Sequence, residues 1–223
     1  MTAIFITATG TDIGKTFVTA GLIRHFRSVG RKIDALKPVV SGFDPALSEA
    51  SDPGMLLAAL GKPVTPAEIE RISPFRFAAP LSPDMAARKE NRALDFSSVV
   101  DFCRRVEPDG ILLIEGVGGV MVPLNQHDTV LDWMTALGFP LILVAGSYLG
   151  SISHTLTCLE VIWQRDLSIK ALIVNETLNS TVTVEDTIAT LTPFVGEIPV
   201  LGLPRLLPET AAHQAFAKLA ALL

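Results

Sequence analysis

With 223 residues, 18 basic against 23 acidic side chains and a net charge of −5, the chain is long enough for one large α/β domain and lacks the basic footprint of a nucleic-acid or anionic-lipid binder. Hydrophobic residues make up 49% of it, yet the longest clean apolar runs, such as FPLILVAG, fall far short of the roughly 20 residues of a spanning helix. A soluble, cytoplasmic protein with a small-molecule ligand is expected, and the chain enters the apolar run AIFITA without a preceding basic region, so no secretory signal is read.

The first strand is predicted at AIFITA, 3 to 8, and runs into TATGTDIGKTF. That stretch ends in Gly14-Lys15-Thr16 as a phosphate-binding loop does, although Thr9 stands where the usual loop has its first glycine. Phe17, Ala20, Gly21, Leu22 and Ile23 then follow a helical pattern. Strand, glycine loop, Lys-Thr and helix form the context of a P-loop. Backbone N–H groups and the helix N-terminus would cradle phosphates, Lys15 would neutralise their outer oxygens, and Thr16 would offer a hydroxyl to Mg²⁺. A plain strand-to-helix turn is the alternative, but a lysine at a helix start opposes the macrodipole unless an anion is present.

A second strand is read over KIDALKPVV, 32 to 40, followed by Ser41 and Gly42. Lys37 at the end of a buried strand needs an anion or another acceptor, and two lysines on one phosphoryl group exceed what nucleotide binding needs. The surplus suggests a reaction in which several negative charges meet. Ser41 is a candidate substrate contact, with a simple turn as the alternative. Residues 43 to 100 hold seven of the 15 prolines and read as an insertion of loops and short helices beside the site within a single domain spanning 1–223. Asp52, in SDPG, serves equally well on sequence as a helix cap ahead of Pro53 or as an oxygen near Mg²⁺.

A third strand, GILLIEG at 110 to 116, delivers Glu115, a candidate Mg²⁺ ligand or a charge facing solvent at the strand end, and then GVGG at 116 to 119, which allows close backbone approach to phosphate or substrate or is a simple glycine turn. PLILVAG at 140 to 146, IKALIVN at 169 to 175 and PVLGLP at 199 to 204 complete a set of strands apolar on both faces and separated by helical stretches. That pattern implies a doubly wound, mainly parallel sheet of the P-loop NTPase type with helices on both faces. In GSYLGSISHTL, Ser151 and Ser153 are read as caps of a helix whose free N–H groups could hold a carboxylate. Asn175 has the donor and acceptor that suit the N6/N7 edge of adenine, or is a turn residue. Cys103 and Cys158 lack metal spacing and read as buried reduced thiols, and the four histidines suggest neither a metal nor a triad.

Every unusual polar or glycine cluster falls after a predicted strand, where an open parallel sheet binds its ligand. Taken together, GTDIGKT, KPVVSG, SD at 51 to 52, SP at 82 to 83, EGVGG, LGSISH, VNE and GEIPVLGLP resemble the dethiobiotin synthetase family in order and spacing over most of the chain. The resemblance implies an enzyme using ATP, CO₂ or bicarbonate and 7,8-diaminononanoate. The diamine's carbamate would attack the γ-phosphate, and the mixed anhydride would close to a cyclic urea with release of ADP and phosphate. It assigns Lys37, Lys15, Thr11 and Ser41 to the reacting groups, and Thr16, Asp52 and Glu115 to Mg²⁺. Asp12, Ile13, Gly14, Lys15, Thr16, Phe17, Glu115, Gly118, Asn175, Glu176 and Pro204 would contact the nucleotide. Ser41, Gly118, Gly150, Ser151 and Ser153 would contact the substrate, whose carboxylate lies across a homodimer interface. The rivals are a P-loop switch ATPase of the partition or septum-placement type, whose extra early lysine is replaced by Thr9, Gly10 and Thr11 here, a cobyrinate-type amide synthase, and a non-catalytic nucleotide-binding subunit.

Overall fold

The computed structural model describes residues 2–107, 109–205 and 212–223. The strands are β1 (Thr2–Ala8), β2 (Ile33–Leu36), β3 (Val39–Ser41), β4 (Phe75–Phe77), β5 (Ile111–Glu115), β6 (Leu141–Gly146), β7 (Ile169–Asn175) and β8 (Val200–Leu203). The helices are α1 (Lys15–Ser28), α2 (Asp52–Leu60), α3 (Pro66–Ile72), α4 (Pro83–Lys89), α5 (Phe96–Arg104), α6 (Val130–Leu137), α7 (Ser151–Trp163), α8 (Val184–Leu191) and α9 (Ala212–Ala220).

Six strands form one parallel sheet in the order β2-β5-β1-β6-β7-β8. All residues of β5 and β6 are buried. Successive strand residues point to opposite faces, so helices must cover both sides, as the doubly wound reading requires. Because the strands are parallel, their carboxyl ends share one edge, and the order reverses around β1, where such folds bind ligands.

One strand reading needs correction. KIDALKPVV is not continuous: β2 ends at Leu36 and β3 begins at Val39. Pro38 has no N–H to give a ladder, and the Lys37 N–H leaves the sheet for the Ile72 carbonyl at 2.9 Å. The chain then pairs with β4 in a separate two-stranded parallel sheet. β4 lies in the proline-rich stretch, where the sequence pattern marks no strand.

The segment 43 to 100 contributes α2 to α5 as well as β4. Its Leu56, Ile72, Phe77 and Val99 belong to the same buried cluster as Ile4 and Leu113 of the sheet. At the other end of the chain, Phe216 of α9 packs on Gly21 of α1 so closely that a Cβ there would meet the ring at 2.0 Å. Cys103 and Cys158 are free thiols, and burial pushes them up to about 12 and about 11, which keeps both protonated. Among the described residues no helix is long and apolar enough to cross a membrane.

Candidate active site

The loop from β1 to α1 has the geometry of an anion cradle. Asp12 and Gly14 both take positive φ, 57° and 103°, on either side of Ile13. Gly14 is the N-cap of α1 and no side chain caps it, nor does an acidic residue sit in the first turn. Among the described residues, no backbone N–H from Gly10 to Phe17 donates a hydrogen bond, which leaves a row of donors beside the positive end of α1. Thr9 in the position of a first glycine does not disturb this row; its N–H is bonded to Val144 of β6 at 2.9 Å.

Lys15 opens α1, and its Nζ donates to the carbonyls of Gly10 at 3.1 Å and Gly118 at 2.7 Å. Burial, with Lys37 nearby, lowers its pKa to about 8. The glycines after β5 are needed for this approach. A Cβ on Gly119 would stand 3.2 Å from Cα of Gly10, so the two loops touch backbone to backbone. Gly118 is held at φ 60°.

Glu115, at the end of β5, is 0% exposed. Its Oε1 accepts from Thr16 Oγ1 and from Lys37 Nζ, each at 2.7 Å, while Oε2 is buried without a partner among the described residues. Lys37 is 2% exposed. Its Nζ also reaches Asp52 Oδ2 at 2.8 Å and the Gly116 carbonyl at 2.9 Å, which satisfies its three donors. Burial pulls the Lys37 pKa down, but Glu115 and Asp52 outweigh it and leave it above the ordinary lysine value. Burial would raise Asp52, and the Lys37 charge instead holds it below the usual carboxylate range.

Two sequence readings change. Asp52 is not the cap of α2: Ser51 takes that role by accepting from the Gly54 N–H at 3.3 Å, leaving the Asp52 carboxylate for Lys37. The positive surplus read from Lys15 and Lys37 is balanced within the chain by Glu115 and Asp52. Sequence spacing showed the lysines and carboxylates separately but not that they would face one another.

The network therefore joins Lys15, Thr16, Lys37, Asp52, Glu115 and Gly118. Asn175 connects to the same loop through Ile13, whose carbonyl accepts from Nδ2 at 2.9 Å, a contact with no signal in the sequence. The other predicted residues stand apart. Thr11 and Asp12 are exposed on the loop, and the Phe17 ring turns to Phe216, 5.7 Å between centroids. Ser41 Oγ is buried without a partner among the described residues. Glu176 and Pro204 are exposed beyond β7 and β8, with the Glu176 carboxylate accepting from the Arg205 N–H at 2.5 Å.

At the start of α7 the cap is Gly150, at φ 96°, and neither serine caps the helix. Ser151 Oγ is buried and unpartnered among the described residues, whereas Ser153 is exposed. The Ser151 N–H is taken by Tyr148 at 2.9 Å, which leaves the N–H groups of Ile152 and Ser153 free among the described residues. The sequence reading of Ser151 and Ser153 as caps is corrected: an αL glycine makes this turn without a side-chain cap. A separate cleft of about 490 Å³, walled by Asp84, Arg88, Arg92, Leu94, Asn125 and His127, contains none of these residues. Among the described residues no group of three or more His, Cys, Asp or Glu side chains is placed to hold a metal. What gathers at the loop is two carboxylates and the Thr16 hydroxyl, which suits an ion that shares its coordination with phosphates.

The comparisons with known proteins agree with this geometry. A family model described as AAA domain matches residues 2–210. The ATP-dependent dethiobiotin synthetase BioD of Acidiphilium cryptum is 48% identical over 202 residues, covering 89% of this chain and 91% of that protein. The protein of the same name from Phenylobacterium zucineum is 47% identical over 92% of this chain and 89% of its own length. Among solved structures, the MinC:MinD cell division protein complex of Aquifex aeolicus has a TM-score of 0.57 at 13% identity, covering 99% of this chain and 94% of that one. Cobyrinic acid a,c-diamide synthase from Mycobacterium smegmatis also has a TM-score of 0.57, at 15% identity, with 99% and 92% covered. At such identities these two likenesses speak to the fold alone. The loop with its free N–H groups among the described residues, Lys37 paired to Glu115 and Asp52, and relatives of nearly half identity over nine-tenths of the chain make this protein a member of the ATP-dependent dethiobiotin synthetase family.

Proposed function

We propose that this chain carboxylates 7,8-diaminononanoate with CO₂ and closes it to dethiobiotin, using ATP with Mg²⁺ and releasing ADP and phosphate. One amine of the diamine takes up CO₂ as a carbamate. The carbamate oxygen attacks the γ-phosphorus as the bond to the ADP oxygen breaks, and the second amine then attacks the carbamate carbon and expels phosphate.

The chain's part is largely electrostatic. Carbamate and triphosphate repel each other, and Lys15 and Lys37 would offset that repulsion in a water-poor pocket. The N–H row from Gly10 to Phe17 would hold the phosphates. Ser41, whose buried hydroxyl has no partner among the described residues, and Thr11 would orient the reacting groups. Thr16, Asp52 and Glu115 supply oxygens of the kind Mg²⁺ prefers, and the orphaned Oε2 of Glu115 supports the fit. When bound with the nucleotide, Mg²⁺ would neutralise triphosphate charge. Asn175, Glu176 and Pro204 would flank the adenine, and Gly118 would meet nucleotide and substrate through its backbone.

The substrate carboxylate would be held by the free N–H groups after Gly150, near Ser151 and Ser153, of a neighbouring subunit in a homodimer. Leu149, 87% exposed at that helix start, favours such a cover. We read residues 1–223 as one domain, since the buried cluster runs from the sheet into 43–100, and place it in the cytoplasm, in keeping with the lack of a spanning helix among the described residues.

The observation that carries this reading is the buried Lys37, held between Glu115 and Asp52 beside a row of loop N–H groups that donate no hydrogen bond among the described residues. Incubation with ATP, Mg²⁺, 7,8-diaminononanoate and ¹³C-bicarbonate should give dethiobiotin carrying one ¹³C by mass spectrometry. Absence of labelled product under conditions where the protein binds ATP would sink it.

A further inference from the structure

Asn175 ends β7, paired with Gly146 on β6 and Leu203 on β8. From this fixed position its side chain crosses to a loop 162 residues earlier, where Nδ2 donates to the Ile13 carbonyl at 2.9 Å. The amide also packs on the next residue: a Cβ added at Gly14 would lie 2.2 Å from the same nitrogen. One side-chain nitrogen therefore lies against both residues that share the Ile13–Gly14 peptide.

That peptide is trans, as are all those described, so its C=O and N–H point in opposite directions. Holding the Ile13 carbonyl toward β7 turns the Gly14 N–H to the other side, into the row of donors that runs from Gly10 to Phe17. A flipped peptide would aim a carbonyl at the anion and repel it. Glycine makes such a flip easy, because at φ 103° Gly14 occupies a region from which several others are accessible. An outside constraint is needed, and the amide of Asn175 supplies it.

We propose that Asn175 is a positioning residue for the phosphate loop: by holding the Ile13 carbonyl it fixes the plane of the Ile13–Gly14 peptide and keeps the Gly14 N–H available to a phosphoryl oxygen. The inference rests on the reading of this loop as the ATP site. It differs from base recognition, in which the same amide matters only through adenine.

A ligand without a base separates the two. Titration calorimetry on the full chain, in Mg²⁺, would compare ATP with inorganic tripolyphosphate for wild type, Asn175→Ala and Asn175→Asp. Asn175→Asp keeps the shape but sets an oxygen against the Ile13 carbonyl, and Asn175→Ala, which adds no charge, carries the test should the aspartate variant not fold. The expected result is a loss on the order of tenfold for both ligands in each folded variant, with the thermal midpoint recorded alongside. Tripolyphosphate affinity within twofold of wild type, with ATP weakened, would overturn the positioning role and leave the ATP site standing. Wild-type protein that binds neither ligand would overturn the site reading as well.

Discussion

The phosphate end of the site and the helix start at Gly150 lie at the carboxyl ends of the same parallel sheet, yet their side chains are used in opposite ways. Around Lys37 each ionised group already has a partner within the chain: Glu115 and Asp52 on the ammonium, Thr16 on Glu115, and the Gly116 carbonyl on the remaining donor. Around Gly150 the serines cap nothing, Ser151 Oγ is buried without a partner among the described residues, and Leu149 is exposed. A charged site must be balanced by its own chain even before ligands arrive, since a buried unpaired ion costs several kcal/mol. A recognition site made of backbone N–H groups can wait for its partner at small cost, because water satisfies exposed donors.

Lys37→Met is the sharpest way to break the comparison. Removing this preorganised charge should lower turnover on the order of 10²-fold or more, and it leaves Glu115 buried and uncompensated, which should cost about 3–5 kcal/mol in urea unfolding. The double change Lys37→Met with Glu115→Gln should recover much of the stability and none of the turnover. Turnover near wild type in a folded single variant would remove Lys37 from the reaction.

A smaller effect is expected from pH. Lys15, lowered to about 8 by burial and by Lys37, loses its charge in the free protein above that value, and a bound anion favours the protonated form. ATP affinity should therefore fall by up to about tenfold per pH unit above 8, with proton uptake on binding at pH 9 measurable by calorimetry in buffers of different ionisation heat. The stability sign is opposite: the folded state binds fewer protons at Lys15 than the unfolded chain between about 8 and 10.5, so this group makes folding more favourable as pH rises through that window. An affinity flat from pH 7.5 to 9.5 would show that Lys15 does not face the phosphates.

At the helix start, Ser153→Ala should raise the KM for diaminononanoate by only a few-fold and leave that for ATP unchanged, because the backbone N–H groups do the holding. An equal rise in both constants would join this region to the nucleotide end.

Much of the sheet could be read from the sequence because parallel strands covered on both faces leave continuous apolar runs, as at Ile111–Ile114 and Leu141–Ala145. The break at Lys37-Pro38 was hidden because apolar residues resume directly after it. β4 was missed for a related reason: three residues, Phe75 to Phe77, between prolines carry too short a period to count. In the site, Lys15, Thr16, Lys37 and Glu115 could be named because residue type and position after a strand fix their chemistry. The pairing of Lys37 with Asp52 and the reach of Asn175 to Ile13 depend on tertiary approach, which local spacing does not record, whereas the Ser51 cap spans only three residues and was hidden because Asp52 beside it suits the same role.

The central claim is that the triphosphate meets a second anion made from the diamine. ADP release by the purified chain, followed with ATP and Mg²⁺ alone, with bicarbonate, and with bicarbonate plus 7,8-diaminononanoate, tests it most directly. The account predicts little release until the diamine and bicarbonate are both present, then one ADP for each dethiobiotin formed. ADP release at the same rate in all three mixtures would contradict it and point to a nucleotide switch.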